Sequence, residues 1–334
     1  MKFLRSILLP IVPIYYLVTW FRNLMYDKGW KSTKSYDFPV ICVGNLSTGG
    51  TGKTPMVEYL IRLLKDDVNL ATLSRGYGRK SEGFVLGSPK SSALDLGDEP
   101  FQFYNKFKET VLVAVDANRR EGIDKLLQHN IKPDVIVLDD AYQHRKVTAG
   151  FTILLTTFNN LYYKDIVLPT GNLREPRAGV KRADLIVVTK CPNNLDNEVK
   201  EKIKSKIKPQ QHQQIFFSNI NYSTSVFSKN GNKALSAMLP FTLVTGIANA
   251  KPLVKFLNNE GFNFEHLEYK DHHTFTEKDL TDLSKLECIL TTEKDYMRLK
   301  DEFMLNDKLW YLPIHLTLDK QQQFDDAVKS FAIK

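Results

Sequence analysis

Residues 44–54 read GNLSTGGTGKT, with Gly49, Gly50 and Gly52 just ahead of a lysine and a threonine. Glycine takes backbone conformations that a Cβ forbids, so such a run can wrap closely round anionic oxygens. The Lys53 ammonium would then reach the β- and γ-phosphates of a nucleotide, and the Thr54 hydroxyl would ligate Mg²⁺. Ser47, Thr48, Gly49, Gly50, Thr51, Gly52, Lys53 and Thr54 are the expected ATP-binding residues. One position departs from the phosphate-loop pattern G-x-x-x-x-G-K-[ST], whose first glycine is Ser47 here. Residues 134–140 read DVIVLDD, an apolar strand ending in two carboxylates. Phosphoryl-transfer proteins hold Mg²⁺ with a strand-end aspartate beside the loop, which makes Asp139 the first candidate ligand and Asp140 the second.

Five further segments concentrate functional side chains: LSRGYGR at 73–79, GDEP at 97–100, DANRR at 116–120, DAYQHR at 140–145 and LPTGNLREP at 168–176. Phosphoryl transfer needs cations on the equatorial oxygens and a carboxylate or histidine near the attacking hydroxyl. Arginines and acids in these segments supply both types. On residue type alone, Asp98 in GDEP reads first as a helix cap. His272 and His273 likewise read first as surface or turn residues.

The elements that must position these residues follow from periodicity. Residues 38–43, 69–73, 111–115, 135–138, 151–156 and 185–189 are short β-branched strands, and 55–64 and 120–129 are helical. The phosphate loop falls between a strand and a helix, where backbone N–H groups and a helix N-terminus can face a phosphate. Strands alternating with helices predict an α/β fold, a mainly parallel sheet with helices on both faces. After a charged helix near 197–207, two strand-like stretches and an Asn-Gly turn at 230–231 read as a β-ribbon. Strands at 241–245, 264–269, 288–291 and 309–316 then suggest a smaller α/β domain. The expected division is an N-terminal segment 1–26, a phosphate-loop core 27–213, a ribbon linker 214–234 and a C-terminal domain 235–334.

Composition bounds the function. The chain has 334 residues, 43% of them hydrophobic, and a formal charge of +8. An ordinary hydrophobic fraction excludes disorder as the default, and the positive charge favours an anionic partner. Cys42, Cys191 and Cys288 are too widely spaced for a zinc site and indicate a reducing compartment. No basic stripe interleaved with stacking aromatics supports nucleic-acid binding. Residues 6–21, SILLPIVPIYYLVTWF, carry no charge and are flanked by Lys2, Arg5 and Arg22. That run is short for crossing a bilayer, and Pro10 and Pro13 interrupt it. A helix lying in a membrane interface is the expected form.

Taken in order, GGTGKTP, SRGYGR, GDEP, DANR, the DAYQHR segment, LREP, Asp271-His272-His273 and TEKD at 292–295 resemble tetraacyldisaccharide 4′-kinase, the lipid A 4′-kinase family. The resemblance covers most of the chain. It implies transfer of the ATP γ-phosphoryl group to the 4′-hydroxyl of an acylated glucosamine disaccharide 1-phosphate, at the cytoplasmic face of the bacterial inner membrane. It also implies that Asp98 is the catalytic carboxylate, paired with His272 or His273. Arg119, Gln143, His144, Arg174 and Glu175 correspond to positions contacting substrate and phosphate, with Arg119 and Arg174 favoured as bidentate grips. Ala141 and Asn172 stand where the family often has glycine and proline. ATP and Mg²⁺ are the implied cofactors, and a monomer without nucleic acid is expected. The alternative reading is a membrane-associated ATPase switch, which would use Lys53, Thr54 and Asp139 but leave Asp98 and LREP without a role.

Overall fold

Every residue is buried in the strands Val40–Asn45 (β1), Leu70–Ser74 (β2), Val135–Asp139 (β5) and Leu185–Thr189 (β7). Burial on both faces is the mark of a sheet covered on each side by helices or loops. The computed structural model describes residues 5, 7–238, 240–271, 273–305 and 307–333. Between and after these strands come α1 (Val12–Asp27), α2 (Lys53–Leu64), β3 (Val85–Leu86), α3 (Asp98–Phe107), β4 (Val111–Val115), α4 (Arg119–Leu126), β6 (Phe151–Thr157) and α5 (Asn197–Ile207). The chain continues through β8 (Gln214–Tyr222), β9 (Ser225–Ser228), β10 (Gly231–Ala234), β11 (Thr242–Thr245), α6 (Lys251–Asn259), β12 (Glu265–Glu268) and α7 (Glu277–Ser284). It finishes with β13 (Ile289–Thr292), α8 (Glu293–Leu299), β14 (Leu309–Leu312), β15 (Ile314–Leu318) and α9 (Gln321–Ala332).

Nine strands form the first sheet, in the order β15-β8-β7-β6-β1-β5-β2-β4-β3, parallel except for its two edges. β5 lies directly beside β1 with Val43 opposite Asp139, so the acidic strand end is level with the start of the phosphate loop. Helix α2 leaves that loop and buries Met56, Val57, Leu60, Ile61 and Leu64, one apolar stripe at helical spacing. A second sheet of six strands, β10-β9-β14-β13-β11-β12, forms a smaller lobe.

The lobes are divided differently from the boundaries expected at residues 214 and 235. The expected ribbon is split: β8 pairs with β7 in the large sheet, whereas the β9–β10 hairpin edges the small one. The single strand expected over 309–316 is likewise two strands in different sheets. Pro313, which has no N–H to donate, separates β14 in the small sheet from β15, which returns to pair antiparallel with β8. Leu316, Leu318 and then Phe324 and Val328 of α9 are buried in the core of the large lobe. Phe324 meets Phe216 and Tyr59 edge-on. The small lobe is thus an insertion between two neighbouring strands of the large one.

Helix α1 buries one residue, Asn23, while Ile14, Leu17, Val18 and Phe21 are exposed. Among the described residues no helix is long and apolar enough to cross a membrane. The three cysteines are free and buried.

Candidate active site

The phosphate loop is shaped from beneath by polar contacts. Gly52 caps α2 in a left-handed conformation (φ 88°), and Gly49 has φ 99°, so both positions require glycine. Ser47 has no positive φ; it pairs antiparallel with Leu173, and a side chain is tolerated where the pattern has glycine. Asn45 Nδ2 donates to Thr51 Oγ1 at 2.7 Å, and Thr189 Oγ1 donates to the Thr51 carbonyl at 2.7 Å. Lys190 Nζ donates to the Gly50 carbonyl at 2.6 Å. Within β1 itself Gly44 is also sterically fixed: a Cβ there would stand 2.6 Å from Tyr142 Cβ.

At the end of β5 two adjacent carboxylates meet opposite environments. Asp139 is buried, its Oδ1 makes no hydrogen bond within the protein, and Ser74 Oγ is 3.4 Å from Oδ2. Burial pushes its carboxyl up to about 6, against the pull of Lys53. Asp140 takes a left-handed conformation (φ 48°) that turns its side chain to Lys53 Nζ at 3.5 Å and Arg174 Nη1 at 3.0 Å. Burial opposes its charge, but Lys53 and Arg174 together hold its carboxyl below the usual range. The orphaned oxygen of Asp139 suits a cation, so the donor set fits Mg²⁺ better at Asp139 than at the already paired Asp140.

The LREP segment closes one side of the loop. Arg174 N donates to the Leu46 carbonyl at 2.7 Å, and Thr48 N donates to the Asn172 carbonyl at 2.8 Å. Arg174 therefore pairs with Asp140 and not with its neighbour. Glu175 is buried and accepts from both Arg182 Nη groups, at 2.8 and 3.0 Å, and from Gln143 Nε2 at 3.1 Å. Gln143 Nε2 also reaches the Asn45 carbonyl at 2.8 Å. His144 is half-buried, and burial together with Arg119 and other nearby cations lowers its imidazole to about 4. Arg119, favoured from sequence as a phosphate grip, is 2% exposed. Its guanidinium donates to the Asp116 and Asp139 carbonyls at 2.6 and 3.2 Å, which braces the strand ends, while Nε makes no hydrogen bond within the protein. Burial lowers it to about 10.

Asp98 is the first residue of α3, after a Gly97 N-cap with φ 88°, so it does not itself cap the helix. Its Oδ2 pairs with Arg298 Nη2 of α8, across the two lobes. Arg298 Nη1 also lies 3.3 Å from Asp295 Oδ1. His273 Nε2 is 2.9 Å from Asp279 Oδ2, the capping carboxylate of α7, and its ring stacks on Tyr269. His272 lies outside the described residues.

A family profile described as tetraacyldisaccharide-1-P 4′-kinase matches residues 4–332. The chain belongs to this family. It is 52% identical over 337 residues to a tetraacyldisaccharide 4′-kinase of Flavobacterium johnsoniae, covering 99% of this chain and 98% of that one. It is 43% identical over 350 residues to the protein of that name from Parabacteroides distasonis, covering 97% and 94%. The crystal structure of LpxK from Aquifex aeolicus in complex with ATP superposes with a TM-score of 0.79 at 31% identity, covering 98% of this chain and 99% of that one. A family member with this fold brings together residues that sequence reasoning passed over. Thr189 and Lys190 stand at the end of β7, beside the loop, which a parallel sheet makes foreseeable. Arg298, two hundred positions from Asp98, carries no local signal.

Proposed function

We propose that this chain transfers the γ-phosphoryl group of ATP to the 4′-hydroxyl of a tetraacylated glucosamine disaccharide 1-phosphate, giving lipid IVA in lipid A biosynthesis. The supporting observation is the family match along nearly the whole chain, joined to a phosphate loop whose lysine faces a strand-end carboxylate. In this reading the loop N–H groups and Lys53 hold the β- and γ-phosphates, with Arg174 on the transferring group. Asp139 and Thr54 would hold Mg²⁺, which would supply positive charge to offset that of the phosphates. Asp98 accepts the proton of the 4′-hydroxyl as its oxygen bonds to the γ-phosphorus and the bond to the β,γ-bridging oxygen breaks, releasing ADP. Arg298 must loosen its hold on Asp98 for that, and a histidine of the 272–273 pair would take over as its partner.

The acceptor is acylated, so the site must reach lipid. The exposed apolar residues Ile14, Leu17, Val18 and Phe21 of α1 support docking in a membrane interface; in the kinase reading that membrane is the cytoplasmic face of the inner membrane. The test is label transfer from γ-labelled ATP to a tetraacyl disaccharide 1-phosphate in detergent micelles. Labelled lipid is expected, and Lys53→Ala should abolish it. Free phosphate without labelled lipid would replace the kinase by an ATPase switch.

A further inference from the structure

An ordinary surface helix buries its apolar stripe, whereas helix α1 leaves a complete one exposed. Its apolar residues Ile14, Leu17, Val18 and Phe21, at i, i+3, i+4 and i+7, are all exposed. Towards the protein, Val12 and Tyr15 pack against a buried apolar cluster, and among the described residues the helix's side-chain hydrogen bonds to the body of the protein go to the two loops of the phosphate site. Tyr15 Oη donates to the Arg174 carbonyl at 3.0 Å, and Arg22 Nη2 donates to the Gln143 carbonyl at 2.7 Å. Asn23 Nδ2 donates to Glu175 Oε2 at 2.5 Å, and the Asn23 carbonyl accepts from Arg145 Nη1 at 2.9 Å. An anchor alone would need none of these contacts.

From those loops a continuous set of bonds runs to the phosphate site. Glu175 accepts from Gln143, which donates to Asn45, which in turn holds Thr51 of the loop. Arg174 Nη1 lies 3.4 Å from Gln143 Oε1 and pairs with Asp140, which faces Lys53. We propose that Asn23, the one buried residue of α1, is a positioning residue that fixes Glu175 and Gln143, and through them Arg174 and the phosphate loop, for phosphoryl transfer. The same helix that meets lipid with one face thereby sets the catalytic geometry with the other. The inference rests on the kinase reading for its kinetic arm only.

Asn23→Leu keeps the volume and removes the amide. Misplacing a reacting group by an ångström can cost about a hundredfold, so kcat should fall by roughly ten- to a hundredfold. KM for the lipid acceptor and sedimentation with vesicles should stay unchanged, because Asn23 does not touch the exposed face. Asn23→Asp sets two carboxylates against each other and should lose activity, while Asn23→Asp combined with Glu175→Gln restores a donor–acceptor pair and should recover part of it. Tyr15→Phe, which removes one hydroxyl, should lower kcat mildly in a fully folded protein. Amide hydrogen exchange at residues 143–145 and 172–175 should speed up in Asn23→Leu with no substrate present. This arm holds whatever the acceptor proves to be. Unchanged exchange with unchanged kcat overturns the proposal. So does a parallel loss of vesicle binding and activity, which would make Asn23 part of the anchor.

Discussion

Adjacent carboxylates with opposed surroundings are the central residue-scale feature. Asp139 is buried with an unpaired oxygen and Asp140 is bracketed by Lys53 and Arg174, so one is poised for a cation and the other organises two. The doublet was legible in DVIVLDD, but the division of labour was not, because it depends on a left-handed turn at Asp140. Asp98 is singled out only by family resemblance, and its partner Arg298 comes from the other lobe. Asp98→Ala should lower kcat by about a hundredfold or more, the usual worth of general acid–base assistance, with ATP affinity retained. Steady-state kinetics beside nucleotide titration checks this; an equal loss in both would make Asp98 a structural residue. Arg119 is the converse case. An arginine after a strand in DANRR reads as a ligand grip, yet the side chain is buried and both its Nη groups donate to backbone carbonyls.

At the scale of elements, strand and helix periodicities placed β1, β4, β5, β6, β7, α2 and α5 within a few residues, since each buries a regular apolar pattern. Periodicity says nothing about which sheet a strand joins. The run 309–316 therefore read as one strand, although Pro313 divides it between two sheets. Helix α1 is a different lesson: its apolar residues were conspicuous, while the polar contacts that hold it depend on loops more than a hundred positions away. Leu17→Glu puts a charge at an exposed position of that helix. Sedimentation with anionic vesicles should drop sharply while the melting temperature hardly moves. Unchanged sedimentation would remove α1 from the lipid contact.

Across the whole molecule, the lobes are joined by a buried charged cluster. Lys106 Nζ sits 2.7 Å from Glu58 Oε2 and 2.7 Å from Glu293 Oε2, and Gln102 donates to Glu58 at 2.7 Å. Beside it a cleft of about 960 Å³ runs from Pro55 past Arg62 and Lys300 to Tyr311. Burial, and then the neighbouring Glu58, push the Glu293 carboxyl up to about 7. A raised carboxyl keeps its proton in the folded state, so its contribution is complete below the unfolded value and is lost as pH rises towards 7. Denaturation midpoints should fall over that window, and Glu293→Gln should flatten the fall. Lys106→Met leaves two buried carboxylates without their cation and should cost about 3–5 kcal/mol in urea unfolding. A loss within experimental scatter would show that the cluster does not join the lobes.

The insertion of the small lobe also bears on ancestry and on engineering. Tyr222 and Ile314, the residues on either side of it, are register partners on adjacent strands, which lie about 5 Å apart. Cutting out the intervening chain and bridging them with a two-residue turn would convert β8 and β15 into an ordinary hairpin. The nine-stranded sheet, its phosphate loop and α9 would keep their connectivity unaltered. A nucleotide-binding ancestor could have acquired the second lobe in one step, by lengthening a single turn.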